Sequence, residues 1–224
     1  MTYDQLPKNM KNPITRVYWD ILAKKRGTMA GKRAFDVICS VLLLLLLSPF
    51  MLILAAAIKF DSPGPVFYRQ MRVGKYGHDF KIYKFRTMVQ NAEKIGPPLT
   101  TGKDPRITRI GLLIRRLRLD EFSQLLNVLN GSMSLVGPRP EVRRYVEQYS
   151  PEYMATLLVR PGITAPASIA FRDEAKILKA GENPEKTYVA KILPPKMAMD
   201  LDYIKHISVW NDVRIIFRTV ITVF

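Results

Sequence analysis

From Val37 to Ile58 the chain runs for twenty-two residues without a charge, with leucine at every position from 42 to 47. As a straight helix this run would measure ~33 Å, enough to cross a ~30 Å hydrocarbon core. Pro49 sits near its middle, where it removes one backbone donor and crowds the Leu45 carbonyl, so the pattern predicts a bend or break. Ser48 can hydrogen-bond a freed carbonyl, which makes that irregularity tolerable in lipid. Basic residues flank the run on both sides: Lys24, Lys25, Arg26, Lys32 and Arg33 before it, Lys59, Arg69, Arg72 and Lys75 after it. A full span usually carries its positive excess on the cytoplasmic side only. Two basic flanks favour a helix that enters, turns at Ser48-Pro49 and returns to the same face. The polar stretch ahead of the run is too long, and the run itself too long, for a secretory signal. Asp36, at the edge of the run, is costly if buried alone and is expected at headgroup level or paired with Lys32 or Arg33.

Outside this segment the pattern is that of a globular domain. Residues 1–31 are polar apart from an amphipathic island at Tyr18, Trp19, Ile21 and Leu22, which reads as an interfacial helix or an N-terminal extension. Asp61 to Pro65 is a turn cluster. Val66 to Val73 and Phe80 to Phe85 are rich in aromatic and β-branched residues around Gly74-Lys75-Tyr76-Gly77, which predicts a β-hairpin. Its basic residues Arg69, Arg72, Lys81, Lys84 and Arg86 either line a phosphate site or form a solvated face. Asn91 to Arg106 reads as a loop. Helices are predicted over Ile110 to Leu117, Asp120 to Leu129 (stopped by Asn130-Gly131), Glu141 to Tyr149, Tyr153 to Val159, Phe171 to Lys179 and Pro195 to Ile204. Arg160 to Thr164 reads as a loop, and Val213 to Phe224 as an amphipathic end. The expected architecture is α+β and mostly helical: an extension (1–31), a re-entrant membrane helix (32–60) and a compact catalytic domain (61–224) with a small β-hairpin and interfacial amphipathic helices.

Composition narrows the partners. Thirty-five Lys and Arg against nineteen Asp and Glu leave a net charge of +16, a bias toward anionic partners such as nucleic acid, lipid headgroups or phosphorylated substrates. One cysteine, Cys39, and two histidines exclude an intrachain disulfide and make a His/Cys zinc centre implausible. The basic residues form no single stripe interleaved with exposed aromatics, which counts against nucleic acid. A membrane-tethered basic module binding nucleic acid or anionic lipid is the rival to an enzyme.

The chemistry concentrates between residues 115 and 140. Arg115, Arg116 and Arg118 precede Asp120 and Glu121, and Gly137-Pro138-Arg139-Pro140 follows. Acidic residues commonly open helices for reasons of dipole alone, but carboxylates framed by guanidiniums suit a phosphate site. Arginines beside Asp120 are expected to keep it ionised, as a nucleophile or a metal ligand. An anionic diphosphate would be repelled by bare carboxylates, and Mg²⁺ held by carboxylate and phosphate oxygens is the natural remedy. An Asp attacking phosphorus would form an acyl phosphate, dividing a transfer into two steps. Arg139, stiffened by a proline on each side, is a candidate anion clamp.

Lys32-Arg33-Ala34-Phe35-Asp36, Ser48-Pro49, Lys84-Phe85-Arg86-Thr87-Met88, Leu119 to Gly131 with Ser134 to Pro140, and Arg160-Pro161-Gly162-Ile163-Thr164 follow one another in this order. Together they resemble the bacterial sugar transferases known as monotopic phosphoglycosyl transferases, from about Lys32 to the C-terminus. The resemblance implies transfer of a phospho-sugar from a UDP-sugar to polyprenyl (undecaprenyl) phosphate, with release of UMP and a need for Mg²⁺, at the cytoplasmic face of the bacterial inner membrane. It implies Asp120 as nucleophile with Glu121 as its partner in metal binding or positioning. It further implies Arg115, Arg139 and Arg172 near the phosphates, and Asp200 as a further functional carboxylate, with Asp202 a competitor for that assignment. Ser48 and Pro49 would mark the turn of the re-entrant helix, and Lys32 and Arg33 a basic pair for lipid headgroups. A homodimer is left open. Many members continue the Pro-Gly-Ile-Thr with Gly-Trp-Ala-Gln, whereas this chain has Ala165-Pro166-Ala167-Ser168, so the resemblance leaves the sugar unnamed.

Overall fold

The structure is a computed structural model and describes residues 2–92, 104–179 and 184–223. It is mostly helical, with two small two-stranded sheets. The predicted loop Asn91 to Arg106 lies mainly outside the described residues. Helix α1 (Pro13–Lys24) starts with Pro13 at its first position and Asn12 as cap, the Asn12 side chain accepting from the Thr15 amide at 2.8 Å. Helix α2 (Arg26–Asp61) contains the whole apolar run. Of the bend or break predicted at Pro49, the break is absent: the helix continues through it as one element. The reason is local: Ser48 Oγ donates to the Leu45 carbonyl at 2.9 Å, the acceptor that a proline at position 49 leaves without its amide.

Strands β1 (Phe67–Val73) and β2 (Asp79–Phe85) form the expected antiparallel hairpin, with Phe67 opposite Phe85 and Val73 opposite Asp79. Its turn uses positive φ at Tyr76 and Gly77. Helix α3 (Arg109–Arg116) is capped by the Thr108 hydroxyl, which accepts from the Gly111 amide at 3.0 Å. A 3-10 turn (Leu119–Gln124) and the short helix α4 (Leu125–Leu129) replace the single predicted helix. Strands β3 (Ser134–Val136) and β4 (Gly162–Thr164) pair in parallel, so the predicted loop at residues 160–164 holds a strand. Its three residues are too few for alternation to show. Here the two backbones touch: a Cβ on Gly162 would lie 2.1 Å from the Gly137 amide nitrogen. Between these strands, the predicted helix from Glu141 shrinks to α5 (Arg143–Val146), and the one from Tyr153 is a 3-10 turn (Tyr153–Leu158). After β4 come α6 (Pro166–Ala170), α7 (Glu174–Lys179), α8 (Pro184–Thr187), a π turn (Tyr188–Ile192), α9 (Leu193–Lys205) and α10 (Val209–Val223).

Leu6, Met10, Tyr18, Val128, Val136, Ala155, Ile204 and Ile207 belong to the main core. The N-terminal region is therefore packed into the domain, and only Ile14 and Val17 of α1 leave large apolar side chains exposed. A second cluster surrounds Phe85, Ile114, Leu54 and Ile58, and a third surrounds Tyr145, Tyr188, Ile192 and Met197.

Helix α2 is tied to the domain at both ends. Near its start, Lys32 is 4% exposed. Its Nζ donates to Asp212 Oδ2 of α10 at 2.5 Å and to the Val136 carbonyl at 2.9 Å. Asp36 lies 3.8 Å from the same Nζ and accepts from Ser134 Oγ at 2.8 Å and the Leu135 amide at 3.1 Å. Arg33 donates to the Val128 and Leu129 carbonyls at 2.7 and 3.2 Å, closing the end of α4. The pair expected to meet lipid headgroups thus binds groups of its own chain, because these two side chains lie on the face of α2 that meets the domain. At the far end, Arg86 donates to the carbonyls of Ile58, Ser62 and Pro63 at 3.2, 2.6 and 2.9 Å, a role distinct from the phosphate contact considered for it.

Removing Lys32 leaves two buried carboxylates without their cation. Lys32→Met is expected to destabilise the protein by about 3–5 kcal/mol, read as a large drop in the thermal midpoint in detergent. A midpoint within a degree of wild type would show that the ion pair does not hold α2.

Candidate active site

Arg118 enters the 3-10 turn with φ of 55°, a left-handed conformation that reverses the chain after α3 and presents Asp120 and Glu121 toward the hairpin. On β2, Lys84 places its Nζ 3.6 Å from Asp120 Oδ2 and 3.9 Å from Glu121 Oε1. From the loop after β3, Arg139 donates from Nη2 to Glu121 Oε1 at 2.6 Å. Parallel pairing fixes the two residues that lead into Arg139: the Gly137 amide donates to the Thr164 carbonyl and the Gly162 amide to the Pro138 carbonyl, both at 3.0 Å. The macrodipole has little to do with the dyad, which lies on a six-residue 3-10 turn. Its charge is balanced by side chains from two other segments.

The two carboxylates differ. Burial raises the Asp120 carboxyl above the usual range, with Lys84 pulling it down and Glu121 pushing it up. That is opposite to the shift expected from neighbouring arginines alone, because desolvation outweighs them. Glu121 is half-buried and desolvation pushes it up as well, but Arg139 and Lys84 together hold it down at about 2. Burial lowers the Lys84 ammonium, against the pull of both carboxylates. One acid is locked as a carboxylate and the other is held above the usual range, an asymmetry that environment can give a pair of acids in a working site.

The remaining predicted residues separate into two groups. Arg115 donates from Nε to Thr87 Oγ1 at 2.8 Å and lies close enough to Asp120 to feel its charge. Arg172 is exposed. Its carbonyl accepts from Arg118 at 3.1 Å, while its guanidinium binds the Thr222 carbonyl of α10, so its side chain is not brought onto the dyad. Asp200 is 1% exposed on α9, in a separate buried cluster that includes Lys196 and Glu141. Asp202, the competitor for that assignment, is exposed and lies 3.3 Å from His206 Nδ1. Lys84 is the dyad contact that sequence reasoning held only as one of five hairpin cations. The alternation of strand β2 was its signal.

Asp120 and Glu121 are the adjacent carboxylates that could hold a Mg²⁺ ion. Among the described residues, no group of three or more His, Cys, Asp or Glu side chains is placed to hold a metal. Two adjacent carboxylates fit a cation that takes one or two protein oxygens and completes its shell with substrate phosphate and water.

Burial lifts the Asp200 carboxyl from 3.8 to about 8, with Lys196 opposing and Glu141 adding. Its Oδ1 has no hydrogen-bond partner among the described residues. The native state therefore keeps a proton that the unfolded chain loses near pH ~4. Stability falls as pH rises from there to about 8, and the full cost applies above it. Asp200→Asn removes that cost. Its thermal midpoint is expected to exceed that of wild type by several degrees at pH 8.5, with the gain shrinking toward pH 4.5. A difference that does not change with pH would show that Asp200 is not held neutral.

Against this geometry, comparison with known proteins is specific. Residues 27–224 match the family described as bacterial sugar transferase. A UDP-N-acetylgalactosamine-undecaprenyl-phosphate N-acetylgalactosaminephosphotransferase of Aeromonas hydrophila is 44% identical over 200 residues, covering 86% of this chain and 43% of the relative. A UDP-glucose:undecaprenyl-phosphate glucose-1-phosphate transferase of Caulobacter vibrioides is 41% identical over 194 residues, covering 84% and 68%. The exopolysaccharide production protein PSS of Rhizobium leguminosarum is 41% identical over 198 residues, covering 85% and 94%. The chain thus spans less than half of the Aeromonas relative and nearly all of the Rhizobium one. It belongs to the bacterial sugar transferase family.

Proposed function

We propose that this protein transfers a phospho-sugar from a UDP-sugar to polyprenyl phosphate, releasing UMP, as a membrane step in building a bacterial surface glycan. The observation that carries this reading is the dyad itself: one carboxylate locked as an anion by Arg139, beside a second whose nearest cation is Lys84 at 3.6 Å. In the first step an Asp120 oxygen attacks the sugar-bearing phosphorus. A bond forms from Oδ to phosphorus, the bond to the bridging oxygen breaks, and UMP leaves with that electron pair. In the second step an oxygen of the polyprenyl phosphate attacks the same phosphorus and releases the Asp120 carboxylate, giving a polyprenyl diphosphate sugar. Lys84 and Arg139 are fixed cations at the place where phosphoryl charge develops, and Arg115 adds charge next to Asp120. Bound Mg²⁺ would be held by Asp120 and Glu121 and would offset the negative charge of the diphosphate.

The acceptor of such a reaction is a lipid, and α2 suits a one-leaflet placement. Its residues 41–53 include none that is fully buried, with Leu46 75% exposed; Leu44, Leu47 and Met51 rest partly on the core clusters, and Ser40 and Leu54 on either side are buried. Those thirteen residues span ~20 Å as a helix, short of the ~30 Å needed to cross. Both flanks of the apolar stretch therefore lie on one domain, which supports a monotopic enzyme; its face in this reading is the cytoplasmic one of the inner membrane, where UDP-sugars are supplied. Exposed Leu112, Leu113 and Leu117 in and just after α3, and Trp210, Phe217 and Ile221 on α10, supply apolar faces for the same interface.

Purified protein given polyprenyl phosphate, Mg²⁺ and a panel of UDP-sugars is expected to release UMP with one donor, and Asp120→Asn to abolish the release. Release that survives the substitution would remove Asp120 as nucleophile. Topology has its own check. Arg26→Cys and Lys59→Cys, each in a Cys39→Ser background, are both expected to resist an impermeant maleimide in intact spheroplasts and to label after permeabilisation. Labelling of one but not the other in intact spheroplasts would mean that α2 crosses.

A further inference from the structure

Glu141 follows the Pro138-Arg139-Pro140 loop and is buried, yet the chemistry above gives it no role. Its carboxylate is shared between two parts of the molecule. Oε1 accepts from the Tyr188 hydroxyl on the π turn, and Oε2 lies 3.9 Å from Arg72 Nη1 on β1. The same Arg72 nitrogen donates to the Pro140 carbonyl at 3.3 Å, and the Val73 amide donates to the Glu141 carbonyl at 2.9 Å. Glu141, two residues after Arg139, is thus bound to the hairpin by its backbone and by its side chain. Tyr188 is itself fixed: its ring stacks on Tyr145 with centroids 4.9 Å apart, and Lys196 Nζ lies 5.1 Å over it.

Charge gives this arrangement a purpose. Arg72, Lys84 and Arg139 are close enough to influence one another. Three cations in a partly desolvated space repel unless anions lie among them. Asp120 and Glu121 face Lys84 and Arg139. Glu141 is the carboxylate within reach of Arg72, and it also acts on Arg139. Without it, Arg72 and Arg139 would push apart, and the group that can move is the Arg139 guanidinium that holds Glu121.

We propose that Glu141 is a positioning residue for the dyad: by binding Arg72 and Tyr188 it keeps Arg139 against Glu121. It touches no substrate and acts through the two arginines. The proposal rests on the transferase reading for its effect on turnover, but its geometric content is separate and has a separate readout.

The test uses the full chain in detergent as Glu141→Gln, Glu141→Asp and Tyr188→Phe. UMP release is expected to lose about tenfold or more in kcat in Glu141→Gln, with KM for polyprenyl phosphate unchanged. Tyr188→Phe should lose a few-fold, and Glu141→Asp should recover part of the Glu141→Gln loss because the charge remains. The decisive readout is the Arg139 guanidinium, followed by nitrogen NMR of arginine-labelled protein and assigned with Arg139→Lys. Its charge-assisted hydrogen bond to Glu121 slows exchange of the guanidinium protons. Loss of that slow exchange in Glu141→Gln supports the positioning role; slow exchange kept at the wild-type level overturns it, even where stability and kcat have dropped together. If the wild-type protein releases no UMP with any donor, the transferase reading fails, and the Arg139 resonance still decides the role of Glu141.

Discussion

Lys32 Nζ, enclosed by Asp212 at 2.5 Å, the Val136 carbonyl at 2.9 Å and Asp36 at 3.8 Å, joins α2, β3 and α10 across as many as 180 positions of sequence. A buried ion pair of this kind adds little net stability compared with an apolar replacement, but losing one partner is costly. Its value is therefore geometric. It fixes the direction in which the apolar helix leaves the domain, and Arg86 receives the other end of that helix on the Ile58, Ser62 and Pro63 carbonyls. With both ends fixed, the apolar middle can face lipid while the loop that follows β3, carrying Arg139, stays in register with β4. Val136, the acceptor for Lys32, is separated from Arg139 by only Gly137 and Pro138, so the seat of the apolar helix and the site share a few residues of backbone.

The dyad is asymmetric because its neighbours are. Glu121 has Arg139 at hydrogen-bond distance and Lys84 nearby, whereas Asp120 has Lys84 at 3.6 Å. Burial acts on both acids, and only Glu121 has enough cation to overcome it. A carboxylate tightly paired to arginine is a poor nucleophile, since attack would break that pair. One held loosely, in a dry place, keeps its lone pairs available. The same desolvation that raises the Asp120 carboxyl also strengthens every charge interaction felt by an incoming diphosphate.

Much of this was legible in the sequence, for reasons that can be assigned. The hairpin followed from alternation and a glycine-bounded turn, and its register from Phe67 to Phe85 agrees with that reading. The dyad, Arg115 and Arg139 were visible because local spacing brings carboxylates and guanidiniums within twenty-five residues. Asp36 pairs with Lys32 as expected, since the two are one helical turn apart. What could not be read is long-range. Nothing local says that Lys32 meets Asp212, that Arg86 holds the end of α2, or that Glu141 meets Tyr188 forty-seven positions later. A net charge of +16 pointed to anionic partners, yet several of these cations bind carbonyls and carboxylates of their own chain. The 3-10 turns were also hidden, because their apolar residues fit a helical period over so few positions.

The region before residue 27 lies outside the family match, yet it is not an appendage. Met10 and Thr15 are fully buried, Asn12 Nδ2 and Thr15 Oγ1 donate to the Pro151 carbonyl at 3.1 and 3.3 Å, and Lys25 Nζ donates to the Lys205 carbonyl at 2.6 Å, at the end of α9. Trp19 packs on Tyr76, with ring centroids 6.3 Å apart. Tyr76 occupies the strained turn of the hairpin whose second strand carries Lys84. A turn residue with positive φ and a bulky side chain is costly on its own, and burial against Trp19 offsets that cost. The N-terminal helix thus supports the hairpin from the end opposite the dyad, so a segment that shares no motif with the family still bears on where Lys84 stands.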